Sequence, residues 1–156
     1  MSAQQLIESL QLEAHPEGGR YRRLFTSPVM VNTPRGPRPT MTAIYYLLEQ
    51  GDFSAWHRLS SHELWHWHSG GVLRVHRIDV NGKLTTTRLG PDGVLTLAVP
   101  PFTWFAAELA QGDKYALVTC TVTPGFEFSD FELGQRERLT QEYPKHQEII
   151  RHLTRS

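Results

Sequence analysis

Between residues 20 and 123 the chain is cut into short pieces rich in aromatic and β-branched residues: "RYRRLFT", "TAIYYLL", "FSAWHR", "HELWHWH", "VLRVHRIDV", "KLTTTRLG", "VLTLAV", "TWFAAE" and "YALVTCTV". Runs of this kind are strand signals, and many of them with a turn every ~8–12 residues point to a sandwich or barrel. Asn81-Gly82 is the strongest hairpin signal, because both central residues of a type I′ turn need positive φ. "NTPRGPRP" reads as a loop from its prolines and glycine. Ser2 followed by Gln5 has the pattern of a capping box, and Leu6, Ile7 and Leu10 form an apolar stripe, so residues 3–12 read as a helix that "HPEGG" stops. Ile149, Ile150 and Leu153 have helical spacing, so the tail "QEYPKHQEIIRHLTRS" closes with one or two short helices. No internal repeat or low-complexity tract divides the 156 residues. A single domain over 1–156 is expected, a length that allows roughly 70% of the unfolded chain's surface to be buried.

Sixteen basic residues balance sixteen acidic ones. No overall field therefore favours nucleic acid or an anionic membrane, and the expected partners are small molecules or protein. Cys120 is the only cysteine, so neither an internal disulfide nor a cysteine metal cluster can form. The N-terminus lacks the basic start and apolar run of a signal peptide, and no segment reaches the ~18 apolar residues of a membrane span. A cytoplasmic protein is the expectation.

The chemistry concentrates in "WHRLSSHELWHWHSGG", residues 56–71, which holds four of the eight histidines and three of the four tryptophans. The paired serines mark a bend. If residues 62–68 form a strand, Glu63, Trp65 and Trp67 share one face while His62, Leu64, His66 and His68 share the other. A carboxylate among indole rings has its charged form disfavoured by desolvation, which suits a general acid or base near neutral pH. On the other face His66 and His68 could share a metal through neutral imidazoles.

The same stretch also reads Gly51-x5-His57-x-Leu59-x3-Glu63-x6-Gly70. It resembles the first cupin motif at every spacing, with Leu59 in place of the second histidine. The second motif, Pro-x-Gly-x2-His-x3-Asn, aligns only through Pro100, since Phe102, Phe105 and Leu109 stand at the other positions. "HPEGGRYRR", "TAIYYLL", "VPPFTWFAA" and "PGFEFSDFEL" are similar to successive signatures of one cupin-like branch, a domain family of unknown function in the cupin superfamily. The resemblance implies an all-β double-stranded β-helix, or jelly-roll barrel, with a short N-terminal helix and one or two short C-terminal helices. It also implies a homodimer, and it places His57 and Glu63 facing inward.

A typical cupin metal site takes two histidines and a glutamate from the first motif and a histidine from the second, of which only His57 and Glu63 remain. A catalytic zinc normally keeps three protein ligands, so no cofactor is expected, and a divalent metal would need His66, His76 or another residue beside those two. The expectation is an aromatic-lined small-molecule pocket in a metal-independent isomerase or epimerase acting on a carbohydrate-like or acidic metabolite. His57, Glu63 and Tyr45 are the candidate catalytic groups. Trp65, Trp104, Arg22, His66 and Phe126 are the candidate binding groups, with Arg22 anchoring an acidic substituent. The alternatives are a metal-dependent oxygenase or hydrolase using His57 and Glu63, and a non-catalytic metabolite-binding module.

Overall fold

The computed structural model describes residues 1–155. Helix α1 (Ala3–Leu10) is followed by β1 (Glu13–Ala14), β2 (Arg20–Thr26), β3 (Met30–Thr33), β4 (Gly36–Pro39), β5 (Thr42–Glu49), β6 (Phe53–Leu59) and β7 (His62–Gly70). Then come β8 (Leu73–Ile78), β9 (Leu84–Leu89), β10 (Thr96–Val99), β11 (Trp104–Leu109), β12 (Tyr115–Thr123), β13 (Phe131–Leu133), α2 (Arg136–Glu142) and α3 (Gln147–His152). The all-β-dominant fold thus carries one short N-terminal helix and two short C-terminal ones.

Two sheets share the work. One runs β1-β2-β5-β12-β7-β10 and the other β13-β6-β11-β8-β9, with every ladder antiparallel. Side chains alternate between the two faces of each sheet, and the facing inner sides meet in the core. Tyr46, Leu48, Trp65, Val118 and Cys120 from the first sheet meet Leu73, Val75, Phe105 and Ala107 from the second in one core. The outer face of the second sheet is covered by the C-terminal helices, where Trp56, Ile78, Trp104 and Ala106 pack on Leu139, Ile150 and Leu153. Helix α1 covers the first sheet through Leu6, beside Leu12, Leu47 and Leu117.

Several local features differ from the sequence expectation. The Ser2–Gln5 capping box is present, but the helix ends at Gln11 in the left-handed region (φ 54°), ahead of "HPEGG". "HPEGG" instead forms the β1–β2 turn, closed by the His15 N–H donating to the Gly19 carbonyl. "NTPRGPRP" is not a loop. It contributes to a hairpin in which Asn32 pairs with Pro37 and Thr33 with Gly36, and an isolated two-stranded ribbon tolerates proline because no further strand needs its N–H. Asn81-Gly82 does join β8 to β9, yet only Gly82 has positive φ. The turn is therefore a longer one, with the Asp79 carboxylate accepting from the Asn81 and Lys83 N–H groups, and its one left-handed residue is a glycine.

Where α3 meets the second sheet, Glu108 accepts from His76 Nε2 at 2.8 Å and His152 Nε2 at 3.1 Å, and Arg74 approaches it at 3.0 Å. Burial pushes the Glu108 carboxyl upward, but these partners outweigh it and hold it down at about 2. A carboxyl lowered in the folded state stabilises above its ordinary value near 4.5, and this contribution is lost as pH falls toward 2. Melting temperature is accordingly expected to drop over that window, and Glu108→Gln should flatten the drop in a pH series of thermal melts.

Candidate functional site

At one end of the sandwich the two sheets and the β1–β2 turn enclose a cavity of about 140 Å³. His57 and Leu59 enter it from β6, Glu63 from β7, Thr42 and Ile44 from β5, Cys120 and Val122 from β12. Ser60 and Ser61, the bend foreseen from the sequence, carry the chain from one sheet to the other, so His57 and Glu63 approach the cavity from facing layers. In β7 the odd-numbered face is the inner one: Glu63 and Trp65 are buried, while His62 and His68 are exposed.

His57 is held firmly. Its Nδ1 lies 2.7 Å from the Ala55 carbonyl oxygen and 2.9 Å from Glu17 Oε2. Both are acceptors, so Nδ1 carries the proton and the neutral ring keeps its lone pair on Nε2. Nε2 has no hydrogen-bond partner among the described residues. The Phe105 ring stands 4.1 Å away, centroid to centroid, and Phe131 stacks at 5.5 Å. Burial pulls the imidazole's pKa down, and the charge and hydrogen bond of Glu17 overcome it, so the net shift is upward. The converse holds at Glu17, where burial pushes up and His57 pulls down, with a net lowering. Glu17 also accepts from the Ser54 hydroxyl. His15 turns its Nδ1 toward the Glu17 N–H at 3.1 Å, and burial lowers its pKa.

Glu63 is the second polar centre. Trp65 Nε1 donates to its Oε1 at 2.9 Å, whereas Oε2 is buried with no hydrogen-bond partner among the described residues. Burial pushes this carboxyl up to about 7, against the opposing pull of His57. An orphaned buried oxygen costs ~1–3 kcal/mol, which is offset if a proton or ligand meets it there. The aromatic wall comes from Phe126, Phe128 and Phe131. Asp130 anchors that segment through a two-pronged pair with Arg38, at 2.8 and 3.0 Å, and a contact to Arg35 at 3.2 Å.

The placement of the sequence candidates is mixed. His57, Glu63 and Phe126 line the cavity. Trp65 sits in the adjoining core and acts on the cavity through its bond to Glu63. Tyr45 projects to the other side of β5, against the α1 cluster, and does not face the cavity; Tyr46 is the inward tyrosine, donating to the Gly18 carbonyl at 2.5 Å. Arg22 also points away, donating to Gln11 Oε1 at 2.6 Å, and its neighbour Arg23 reaches the cavity instead. Trp104 lies under the C-terminal helices with Arg58 over its ring at 4.5 Å. His66 lies on the outer face of β7, near Thr96. Glu17 was not foreseen. "HPEGG" read as punctuation, and only the fold shows that the turn delivers a carboxylate.

That turn depends on Gly18 (φ +109°), where an added Cβ would overlap the Phe53 carbonyl oxygen. Gly18→Ala is expected to cost ~1–3 kcal/mol through backbone strain, read in chemical denaturation, and to displace Glu17 from His57, read in the imidazole NMR shifts.

A metal centre is not assembled from these residues. Leu59 and Phe105 occupy two positions that carry ligands in the cupin motifs, His76 is bonded to Glu108 on the outer face of the second sheet, and His66 points outward. No group of three or more His, Cys, Asp or Glu side chains among the described residues could hold an ion.

Residues 4–134 match the family model described as Cupin superfamily (DUF985), and the chain belongs to that family. A hypothetical protein from Leishmania major is 31% identical with a TM-score of 0.94, covering 100% of both chains. Protein SO0799 from Shewanella oneidensis is 38% identical with a TM-score of 0.92, over 99% of this chain and 98% of that one. Oxalate decarboxylase from Bacillus subtilis shares the fold at 16% identity and a TM-score of 0.59, with 90% of this chain matching 36% of that one. No curated protein matches the sequence.

Proposed function

We propose that the chain is a metal-independent enzyme that moves a proton on a small carbonyl compound, of the isomerase or epimerase type. The observation that supports this reading is the meeting, in one cavity, of a Glu17-oriented imidazole and a second carboxyl whose Oε2 has no partner among the described residues. Burial raises Glu63 to about 7 and Glu17 raises His57, and groups that act on each other's charge titrate as a pair. The deprotonated member removes a proton from the carbon beside the carbonyl, and the C–H electron pair becomes the C=C bond of an enol. The protonated member gives its proton to the carbonyl oxygen. Return of a proton to the opposite face of the same carbon inverts it; where that carbon bears a hydroxyl, loss of the hydroxyl proton from the enediol and protonation of the former carbonyl carbon moves the carbonyl. Hydrogen-bond donation to the developing oxyanion from a preorganised, dry site is where electrostatic stabilisation is greatest. Arg23, not Arg22, is the guanidinium that an acidic substituent would meet.

Exchange of carbon-bound hydrogen for deuterium in D₂O, followed by proton NMR on a bound carbonyl compound, tests the reading. Acceleration that depends on His57 and Glu63 supports it; tight binding with no acceleration leaves a binding module instead.

The homodimer is likewise a proposal. Leu24, Phe25, Val29, Met30 and Val31 form an exposed apolar stretch at β2 and β3, and a second copy of this chain would cover it. Sedimentation equilibrium is expected to give twice the monomer mass, and Val29→Lys with Met30→Glu should return it to the monomer.

A further inference from the structure

Neutral His57 presents to the cavity the lone pair of Nε2, and Glu63 in its ionised form presents Oε2. Both are acceptors, as is a carbonyl oxygen, and the negative charge that grows on that oxygen during enolisation calls for a fixed donor. His15, in the β1–β2 turn, carries one. Its Nδ1 accepts the Glu17 N–H at 3.1 Å, with Glu17 Oε1 farther off at 3.5 Å. The Nδ1 lone pair is thereby engaged, so the neutral ring bears its proton on Nε2. Burial lowers the imidazole's pKa, against the pull of Glu17, and keeps the ring neutral at pH 7. One residue thus sets two opposite tautomers: the Glu17 carboxylate accepts from His57 Nδ1–H, and the Glu17 N–H donates to His15 Nδ1.

Both imidazoles line the cavity and flank Phe131, with ring centroids 5.5 Å (His57) and 6.2 Å (His15) from it. Tyr21 and Tyr46 meet the His15 ring edge-to-face at 4.6 and 5.8 Å and fix its plane. His15 Nε2 has no hydrogen-bond partner among the described residues. The lining hydroxyls of Tyr21 and Thr42 rotate and can donate or accept, and Arg23 is exposed and donates to Thr26 Oγ1 at 2.9 Å. The direction of His15 Nε2–H, by contrast, is set by the ring. Building on the proton-transfer reading, we propose that His15 is a further catalytic residue, whose Nε2–H donates to the ligand's carbonyl oxygen and holds it as it becomes an enolate, without giving up the proton. That oxygen has two lone pairs, so the bond leaves one free for the proton delivered by the protonated member of the His57–Glu63 pair. A neutral imidazole is a competent electrophile for this purpose.

Long-range proton–nitrogen NMR of the histidine rings reads the tautomer directly, and at pH 7 His15 is expected to carry its proton on Nε2. A ring protonated on Nδ1, alone or as imidazolium, overturns the proposal before any ligand is added. Dihydroxyacetone, a small enolisable ketone, should then move the Nε2–H resonance; no movement, or no binding, overturns it as well. Two variants separate donation from support of the turn. In His15→Asn the side-chain oxygen can accept the Glu17 N–H as Nδ1 does, but no donor stands at the Nε2 position. In His15→Gln an amide N–H reaches that position. His15→Asn is expected to slow deuterium exchange of saturating dihydroxyacetone by about 10²–10³-fold with the His57 ring shifts in place, and His15→Gln should recover at least tenfold. An unchanged rate in His15→Asn, equal losses in both variants, or a loss accompanied by displaced His57 shifts would contradict donation from Nε2. If the unsubstituted protein does not accelerate exchange while the ketone still moves Nε2–H, the proton-transfer reading alone falls and the donor stays assigned.

Discussion

His57→Ala is expected to slow deuterium exchange of a bound enolisable ketone by about 10²–10⁴-fold, the usual contribution of a positioned proton-transfer group. The loss should appear in the rate at saturating ligand rather than in affinity, since the imidazole presents one nitrogen to the cavity and contributes little apolar contact. Glu63→Gln should produce a loss of the same order, because the amide can still donate to a carbonyl oxygen but cannot transfer a proton to it. With both groups intact the pH profile is bell-shaped. Glu63 is raised by burial to about 7 and His57 is raised by Glu17, so both limbs are displaced upward from the groups' ordinary values. Glu17→Gln removes the charge that raises His57 while leaving a hydrogen-bond acceptor for Nδ1–H, and should move the His57 limb toward lower pH. A rate unchanged in His57→Ala, or a profile unmoved by Glu17→Gln, would sink the mechanism. On stability the sign is separate. A carboxyl raised in the folded state favours folding below its ordinary value near 4.5, and that advantage disappears as pH rises through about 7.

The largest expected effect on stability is at Trp56. Its side chain is fully buried beneath Leu139, Ile150 and Leu153, and Nε1 donates to the Ile149 carbonyl at 3.2 Å. Its backbone is tied as well, with its N–H donating to Leu153 and its carbonyl accepting from Gly134. Trp56→Ala empties this site beneath the C-terminal helices and is expected to cost ~3–5 kcal/mol, equivalent to a fall of roughly 10 °C in a domain of this size. Urea denaturation should show the loss in the midpoint with little change in slope. Hydrogen exchange should show it first at Leu139 and Ile150, and a uniform loss of protection across both sheets would contradict the assignment of Trp56 to the helix-covered layer.

The positions of most strands were legible because aromatic and β-branched runs mark half-buried ladders whatever their partners. Parity in β7 was legible too, since Glu63 and Trp65 alternate with histidines and the two faces differ in character. It failed where adjacent residues are alike. "YY" at 45–46 and "RR" at 22–23 offer the same chemistry on both faces, so only the pairing with neighbouring strands decides that Tyr46 and Arg23 turn inward. A shift in register between Arg23 and Phe25 further breaks the simple count along β2. Trp104 was misplaced for a different reason: β11 is buried on both faces, and the layer of helices that covers its outer side comes from residues 136–152, far away in the chain. Glu17 was unreadable because its value comes from Ser54 and His57, which lie about 40 residues away across a turn whose glycines carry the local signal.

Although six positions apart in sequence, His57 and Glu63 belong to opposite layers, because the chain changes sheets at Ser60 and Ser61. The separation of His57 from Glu63 is therefore set by how far apart the two layers stand. That spacing is governed by side-chain volume throughout their common interior, including Ala107 and Ala116, which are fully enclosed at some remove from the cavity. Enlarging either alanine acts as a wedge. It would pry His57 and Glu63 apart without touching either of them, and on the proton-transfer proposal it would slow deuterium exchange.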